Sequence, residues 1–186
     1  MNNVLFIQGG GDGGYETDKK LVSSLKNCLG EDYEINYPEF QSNENEPDFG
    51  WTRQIGEKVS KSEDNLILVG HSFGASMILK YLSENSVQNK AKGVFLIATP
   101  FWSGDKSWVQ GLLLKENFAD KLPKNTPVFF YHSKDDEEIP FSHFRNYQRA
   151  FSNAKYSEID KGGHQLNNDL SIVAKEIKDL ILGKKG

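Results

Sequence analysis

The sequence contains a single cysteine, Cys28, so no disulfide can form within the chain. Cys28 recurs at helical spacing with neighbouring leucines, and we therefore expect a small buried apolar side chain without a reactive role. The sequence has no run of about eighteen apolar residues, the length that a membrane span requires. Its start, Met1-Asn2-Asn3, lacks the basic and apolar regions of a secretion signal. These absences predict a soluble, cytoplasmic protein with no membrane partner.

Positive charge is also sparse in this sequence. The 22 Lys and Arg residues are outnumbered by 26 Asp and Glu residues, which gives a net charge of −4, and the basic residues are scattered singly. Without a basic stripe, nucleic acid is not expected as a partner. The histidines are not spaced as ligand pairs and there is no thiolate cluster, so neither a metal nor another cofactor is expected. Nothing indicates a protein partner.

Short apolar runs alternate along the chain with segments whose apolar residues recur at helical spacing. The predicted strands are 4–7, 33–37, 66–69, 94–98, 128–131 and 155–159, and the predicted helices cover 16–29, 51–59, 75–82, 141–151 and 170–181. This alternation predicts an α/β fold in which a parallel sheet is covered by helices on both faces, a three-layer sandwich. No boundary interrupts it, so we expect residues 1–186 to form one domain.

The stretch Gly70-His71-Ser72-Phe73-Gly74 lies between a buried-type strand and an amphipathic helix. A Gly-x-Ser-x-Gly string in this position is typical of a nucleophile elbow, a strained turn that holds the serine hydroxyl above the strand ends. The two glycines suit the close approach of strand and helix. The alternative is a glycine-flanked loop serine without a catalytic role. Ser72 is therefore the candidate nucleophile, provided that the chain also supplies a base.

Four histidines are candidates for the base that a serine nucleophile needs. His71 and His143 are expected to be structural, since one lies inside the elbow and the other on a predicted helix. His132 ends the fifth strand and is a weaker candidate. His164 is preferred, because its glycine-rich loop after the last strand can bring an imidazole over the sheet edge.

A histidine base also needs a carboxylate on its other ring nitrogen. Asp135 and Asp136 directly follow the fifth strand, at the edge where open parallel sheets place their sites. The chain order is then Ser, Asp, His. The residues themselves leave the choice between the two aspartates open.

The chain resembles the small α/β-hydrolases, and it is closest to the compact serine hydrolases that include the retinoblastoma-binding type. The resemblance rests on residues 4–11, 70–74, 136–140 and 162–164. In the family pattern the acid is followed by two residues, an aliphatic residue and proline, which implies that Asp136 is the acid. The resemblance also implies the strand order 2-1-3-4-5-6, with the family's opening antiparallel hairpin absent.

Catalysis further requires N–H donors for the oxyanion of the tetrahedral intermediate. The N–H of Phe73, at the start of the elbow helix, is one. The resemblance implies that the second comes from the loop after the first strand, where Gly10 takes the donor position. This sequence has Gln8 where the family usually has histidine, so Gly11 stays open as the alternative donor and as a residue near the substrate.

The segment 99–126 follows the fourth strand, where this fold often carries a lid. It is rich in aromatic residues, among them Phe101, Trp102 and Trp108. Two roles are open for these side chains: they cover the edge of the core, or they line a small apolar pocket for the substrate. With a small lid, short and uncharged acyl substrates are expected.

Two other classes of function are weighed against the hydrolase. Gly9, Gly11 and Gly14 match a dinucleotide-binding spacing, with Glu39 as a ribose ligand. A run this rich in glycine matches that spacing almost automatically, and nucleotide binding would leave the elbow unexplained. The other alternative is a catalytically silent hydrolase fold that serves as an interaction module. The favoured function is a serine hydrolase that cleaves an ester, thioester or amide through an acyl-enzyme.

Overall fold

The computed structural model describes residues 1–86 and 90–184. The strands are β1 (Asn2–Ile7), β2 (Tyr33–Asn36), β3 (Leu66–His71), β4 (Ala91–Ile97), β5 (Val128–Ser133) and β6 (Lys155–Ile159). They form one sheet in the order β2-β1-β3-β4-β5-β6, and every neighbouring pair is parallel. The predicted parallel sheet and its strand order are thereby confirmed.

Helices connect consecutive strands, and a last helix follows β6. They are α1 (Gly14–Leu29), α2 (Trp51–Lys61), α3 (Ser72–Glu84), α4 (Ser107–Gln110), α5 (Phe118–Lys121), α6 (Ser142–Ala150) and α7 (Ser171–Ile181), with a short 3-10 turn at Leu166–Asn168. The two four-residue helices α4 and α5 lie in the segment 99–126, for which the sequence predicted no helix, because so few residues cannot show a helical period. No described helix is long and apolar enough to cross a membrane.

The central strands are buried on both sides, which explains their nearly continuous apolar sequences. In β1, Val4 and Phe6 pack into the apolar layer under α1 and α7, while Leu5 and Ile7 pack into the layer under α2, α3 and α6. This alternation follows from the two-residue period of a strand. Cys28 is half-buried at the edge of the first layer, less buried than the sequence predicted.

The carboxyl ends of the central strands meet at one edge of the sheet. The loop after β1, the turn after β3, the loop after β5 and the loop after β6 all lie there. Open parallel sheets place their ligands outside this edge. The topology therefore brings the four loops that hold the predicted site residues to one place.

Candidate active site

Ser72 lies at a sharp turn between a strand and a helix. Strand β3 ends at His71 and α3 begins at Ser72, whose φ of 49° is in the left-handed region. A Cβ on Gly70 would lie 2.8 Å from the α3 backbone, and one on Gly74 would lie 2.2 Å from the carbonyl oxygen of Gln8. Only glycine fits such approaches, so the two glycines allow the strained conformation that an elbow serine adopts.

His164 and Asp136 form a buried hydrogen-bonded pair. Nδ1 of His164 lies 2.9 Å from Oδ2 and 3.1 Å from Oδ1 of Asp136, although the two residues are far apart in sequence. Oδ1 also accepts the backbone N–H groups of Glu138 and Ile139, at 2.9 and 2.8 Å. A carboxylate held in this way accepts the hydrogen on Nδ1. The tautomer is thereby fixed, and Nε2 is left as the ring's acceptor.

The surroundings of the pair shift both pKa values. Burial alone lowers the pKa of His164, but the hydrogen bond and charge of Asp136, with the charges of Glu138 and Asp18, outweigh burial and raise it. Burial raises the pKa of Asp136, but the hydrogen bonds from His164, Ile139 and Glu138 outweigh it, so the net shift is downward. Asp136 is therefore a carboxylate at neutral pH, and the imidazolium form of His164 is stabilised.

A cleft of about 250 Å³ opens over Ser72 and His164. It is lined by Gly9, Gly10, Gly13, Gly14, Thr17, Asp18, His71, Ser72, Glu138, His164 and Gln165. Glu138 is two-thirds exposed at its side chain, and its Oε2 lies 3.6 Å from Nε2 of His164. The ring nitrogen that faces away from Asp136 is thus on the cleft side. The structure brings the candidate nucleophile and the preferred base to one small, polar opening.

The residues of the two predicted oxyanion donors are packed against each other. A Cβ on Gly10 would lie 3.0 Å from Cβ of Phe73, closer than ordinary van der Waals contact, so glycine favours the close approach of the loop after β1 to the elbow. Gly11 has a φ of 85° and would have nothing within 4 Å of an added Cβ. Because the second donor must lie beside the first, this packing favours Gly10 over Gly11.

Two of the other histidines point into structural contacts. Nε2 of His132 donates to the carbonyl oxygen of Ile139 at 2.8 Å, and its ring packs beside Phe144. Nδ1 of His143 accepts the N–H of Phe101 at 2.8 Å. Burial lowers the pKa of both rings. Neither is among the described residues that line the cleft.

The aromatic residues of the segment 99–126 lie beside the elbow. Nε1 of Trp102 donates to Oγ of Ser76 at 3.0 Å, and its ring meets the ring of Phe73 edge-on at 5.9 Å. Trp108 packs against Trp102 but is half exposed, whereas Phe101 is partly buried. The described residues that line the cleft include none of the three. Their part in substrate binding stays a prediction.

Asp135 holds the loop of the preferred base, a role that its sequence position alone did not indicate. Its Oδ1 accepts the N–H groups of Gly162 and Gly163, both at 2.9 Å, and the hydroxyl of Ser133 at 2.5 Å. The Ser133 hydrogen bond, followed by the two glycine N–H groups, lowers the pKa of Asp135 to about 2. The two neighbouring aspartates therefore have different tasks: Asp136 holds the imidazole of His164, and Asp135 holds the backbone before it.

Sequence reasoning also missed Asp18. This carboxylate on α1 is almost fully buried, and Oδ2 lies 2.9 Å from Nδ1 of His71. A signal was present, because Asp18 shares the buried stripe of α1 with Leu21 and Leu25, where a charged residue is rarely tolerated without a partner. His71 was expected to be structural, but its partner Asp18 was not identified from the sequence.

The same carboxylate bears on the nucleotide-binding alternative. The N–H of Gly9 donates to Oδ2 of Asp18 at 2.7 Å. A glycine-rich loop binds phosphate through free N–H groups at the start of a helix. In this loop one such group is occupied, and the buried side chain of Asp18 lies beneath it. Both features disfavour a pyrophosphate at the loop.

Comparison with known proteins identifies a family. The sequence model of a family described as "Serine hydrolase" matches residues 20–171. Among curated proteins no sequence matches the chain.

Several solved structures share the fold. Est1E from Butyrivibrio proteoclasticus matches with a TM-score of 0.73 and 16% identity over 98% of this chain and 88% of its own. The ydeN gene product from B. subtilis matches with a TM-score of 0.69 and 19% identity over 98% of this chain and 100% of its own. The esterase EaEST from Exiguobacterium antarcticum matches with a TM-score of 0.73 and 14% identity over 97% of this chain and 92% of its own. At such identities the likeness shows the fold alone, which is that of the α/β-hydrolases.

Proposed function

The chain belongs to the serine hydrolase family, and we propose that it hydrolyses a small ester through an acyl-enzyme intermediate. The observation that carries the proposal is the hydrogen bond between Asp136 and Nδ1 of His164, beside a cleft that Ser72 shares. It leaves one basic nitrogen at the cleft, where a serine hydroxyl can transfer its proton. The name of EaEST, an esterase, adds support for an ester as the scissile group.

In the proposed reaction, Oγ of Ser72 attacks the carbonyl carbon while His164 takes the hydroxyl proton on Nε2. The carbonyl electron pair moves to the oxygen, and the N–H groups of Phe73 and Gly10 stabilise the resulting anion. The bond to the leaving group then breaks, and His164 returns the proton to the departing oxygen. Water repeats the sequence on the acyl-enzyme. Asp136 stabilises the imidazolium in both halves without taking the proton.

The dimensions of the cleft favour a short acyl substrate. About 250 Å³ is at the small end of ligand sites. The carboxylate of Glu138 at its edge disfavours an anionic substrate. For acyl groups that extend past the cleft, we propose that Trp102 and Trp108, with Phe101, provide an apolar surface, since Trp102 contacts the ring of the proposed donor Phe73.

A serine-directed probe tests the proposal. Purified protein should react covalently with a fluorophosphonate and hydrolyse short p-nitrophenyl esters, and Ser72→Ala should lose both activities, with kcat reduced about 10⁴-fold or more. Thioesters and amides of the same acyl group show which leaving group is preferred.

The control is Ser83→Ala, because Ser83 lies near the end of α3 and its hydroxyl donates to the carbonyl oxygen of Lys80, away from the cleft. It should label like the wild-type protein. Equal labelling of Ser72→Ala and wild type would contradict the proposal, and a folded wild-type protein that neither labels nor hydrolyses any ester would favour the interaction module.

A further inference from the structure

A second buried aspartate–histidine pair lies next to the first and has no part in the proposed chemistry. The side chains of Asp18 and His71 are each 1% exposed, with Oδ2 and Nδ1 2.9 Å apart. The ring of His71 lies 4.7 Å from that of His164, centroid to centroid. Two ionisable groups are rarely buried together unless their hydrogen bonds are satisfied.

The hydrogen atoms of this pair can be assigned from its neighbours. Nε2 of His71 lies 3.1 Å from the carbonyl oxygen of His164, which only accepts, so Nε2 carries a hydrogen. A further hydrogen lies between Nδ1 and Oδ2 of Asp18. Both ring nitrogens are therefore occupied. His71 has no nitrogen with which to accept the proton of Ser72, although it precedes Ser72 in the chain.

On the aspartate side, the pair fixes the loop that supplies the proposed oxyanion donor. Oδ2 of Asp18 accepts the N–H of Gly9 at 2.7 Å. The carbonyl oxygen of Gly9 is packed against Gly14, where an added Cβ would lie only 2.2 Å away. Because C=O and N–H point in opposite directions across a trans peptide, the Gly14 contact sets the direction of the Gly10 N–H, and the hydrogen bond to Asp18 fixes the peptide just before it.

On the histidine side, the pair fixes the loop of the base. His71 donates to the backbone carbonyl of His164 itself, and Oδ1 of Asp18 accepts the side-chain N–H of Gln165 at 3.3 Å. Asp18 and His71 therefore join three chain segments: the loop after β1, the elbow, and the loop after β6. These segments hold the proposed oxyanion donor, nucleophile and base.

We propose that Asp18 and His71 are positioning residues that hold the Gly10 N–H and the His164 backbone in register with Ser72. The proposal rests on the proposed esterase function. It assigns them an effect on the chemical step, because the oxyanion and the transferred proton exist only after the substrate is bound. Substrate binding itself should depend little on them.

Asparagine at position 18 cannot replace the carboxylate. If its oxygen takes the place of Oδ2, it still accepts from Gly9 and from Nδ1 of His71, but its NH₂ group then opposes the side-chain N–H of Gln165. If its NH₂ group takes that place, it donates to His71 but opposes the N–H of Gly9. Either way one link of the network is lost. His71→Asn is complementary, since its amide can still donate to Asp18 but no longer reaches the carbonyl of His164.

The test compares steady-state kinetics with amide hydrogen exchange. We expect Asp18→Asn to lower kcat for a short ester about 10- to 100-fold, as a misplacement of order 1 Å does, with KM nearly unchanged. Asp18→Ala, which removes the side-chain acceptor of the Gly9 N–H, should make that N–H exchange at least about tenfold faster than in wild type. His71→Asn should lower kcat in the same range while Gly9 stays protected. If Asp18→Asn does not fold, His71→Asn alone carries the kinetic test.

The matched control is Asp48→Asn, a buried carboxylate that bonds Gly50 at the start of α2. It should lower thermal stability and leave kcat unchanged. A kcat within twofold of wild type in folded Asp18→Asn or His71→Asn, or a loss confined to KM, would overturn the proposal. So would equal Gly9 exchange in folded Asp18→Ala and wild type, a result that does not require hydrolysis and is therefore separable from failure of the Ser72 experiment.

Discussion

The two buried aspartate–histidine pairs are alike in composition and differ in what the second ring nitrogen meets. In both, Nδ1 lies 2.9 Å from a carboxylate oxygen. Nε2 of His71 bonds a backbone carbonyl, whereas Nε2 of His164 faces the cleft, 3.6 Å from the carboxylate of Glu138. Burial and a carboxylate partner therefore do not identify a catalytic histidine. What makes His164 the candidate base is that its second ring nitrogen faces the cleft, where the structure gives it no backbone carbonyl partner among the described residues.

The positions of the two histidines in the chain account for this difference. His71 is the last residue of β3, and the elbow follows directly, so its backbone is fixed on both sides. His164 follows two glycines after β6, in a loop that Asp135 holds through the N–H groups of Gly162 and Gly163. A ring carried by such a loop can present one edge to the carboxylate and the other to the substrate.

Removal of the imidazole of His164 should have the largest effect. Without a base at the cleft, Ser72 cannot lose its proton during attack, so His164→Ala should lower kcat about 10⁴-fold or more, as in comparable triads. Ester hydrolysis by the purified variant, with circular dichroism to verify folding, gives the measurement. His143→Ala is the control, since that ring bonds the N–H of Phe101 outside the cleft. Comparable losses in the two variants would contradict the assignment of the base.

The next largest effect should be a difference in kcat between substitutions of the two neighbouring aspartates. Asp136→Asn presents an NH₂ group or an uncharged oxygen to Nδ1, so the imidazolium is no longer stabilised, and we expect kcat to fall about 10⁴-fold. Asp135→Asn keeps a side-chain oxygen that can accept from Gly162, Gly163 and Ser133, so it should lose less than about tenfold. Parallel kinetics on the two variants decide the point. A larger loss in Asp135→Asn would reverse the assignment.

The fold could be predicted from the sequence because each central strand carries its own signal. Runs such as 66–69 and 94–98 are apolar on both faces, and apolar residues recur at helical spacing between them. The order of the strands came from family resemblance, and the hydrogen-bonded register confirms it. The short helices α4 and α5 could not be predicted, because four residues are too few to show a helical period.

The candidate site was less accessible to sequence reasoning, for two physical reasons. The direction of a backbone N–H, such as that of Gly10, leaves no trace in the side-chain pattern. The partner of His71 is 53 residues away, on a helix whose spacing does not reveal which strand it covers. Asp18 was visible only as a charge on an apolar stripe. Its contacts with Gly9 and His71 depend on the folded arrangement of the loop after β1 and the elbow.

The smallest expected effect concerns the charge at the open edge of His164, where the two pairs differ most. A base works in its neutral form, so kcat/KM should rise with pH through the pKa of His164 in the free enzyme. That pKa is raised above the ordinary histidine value, and Glu138 contributes to the shift. Glu138→Gln removes a negative charge that stabilises the imidazolium, so the acidic limb of the profile should move to lower pH.

The control is Glu137→Gln, an equal change of charge in the same loop. The Glu137 carboxylate lies beside Gly163, so this variant should leave the acidic limb nearly in place. A limb that stays in place or moves to higher pH in Glu138→Gln would show that the open nitrogen of His164 does not sense this carboxylate.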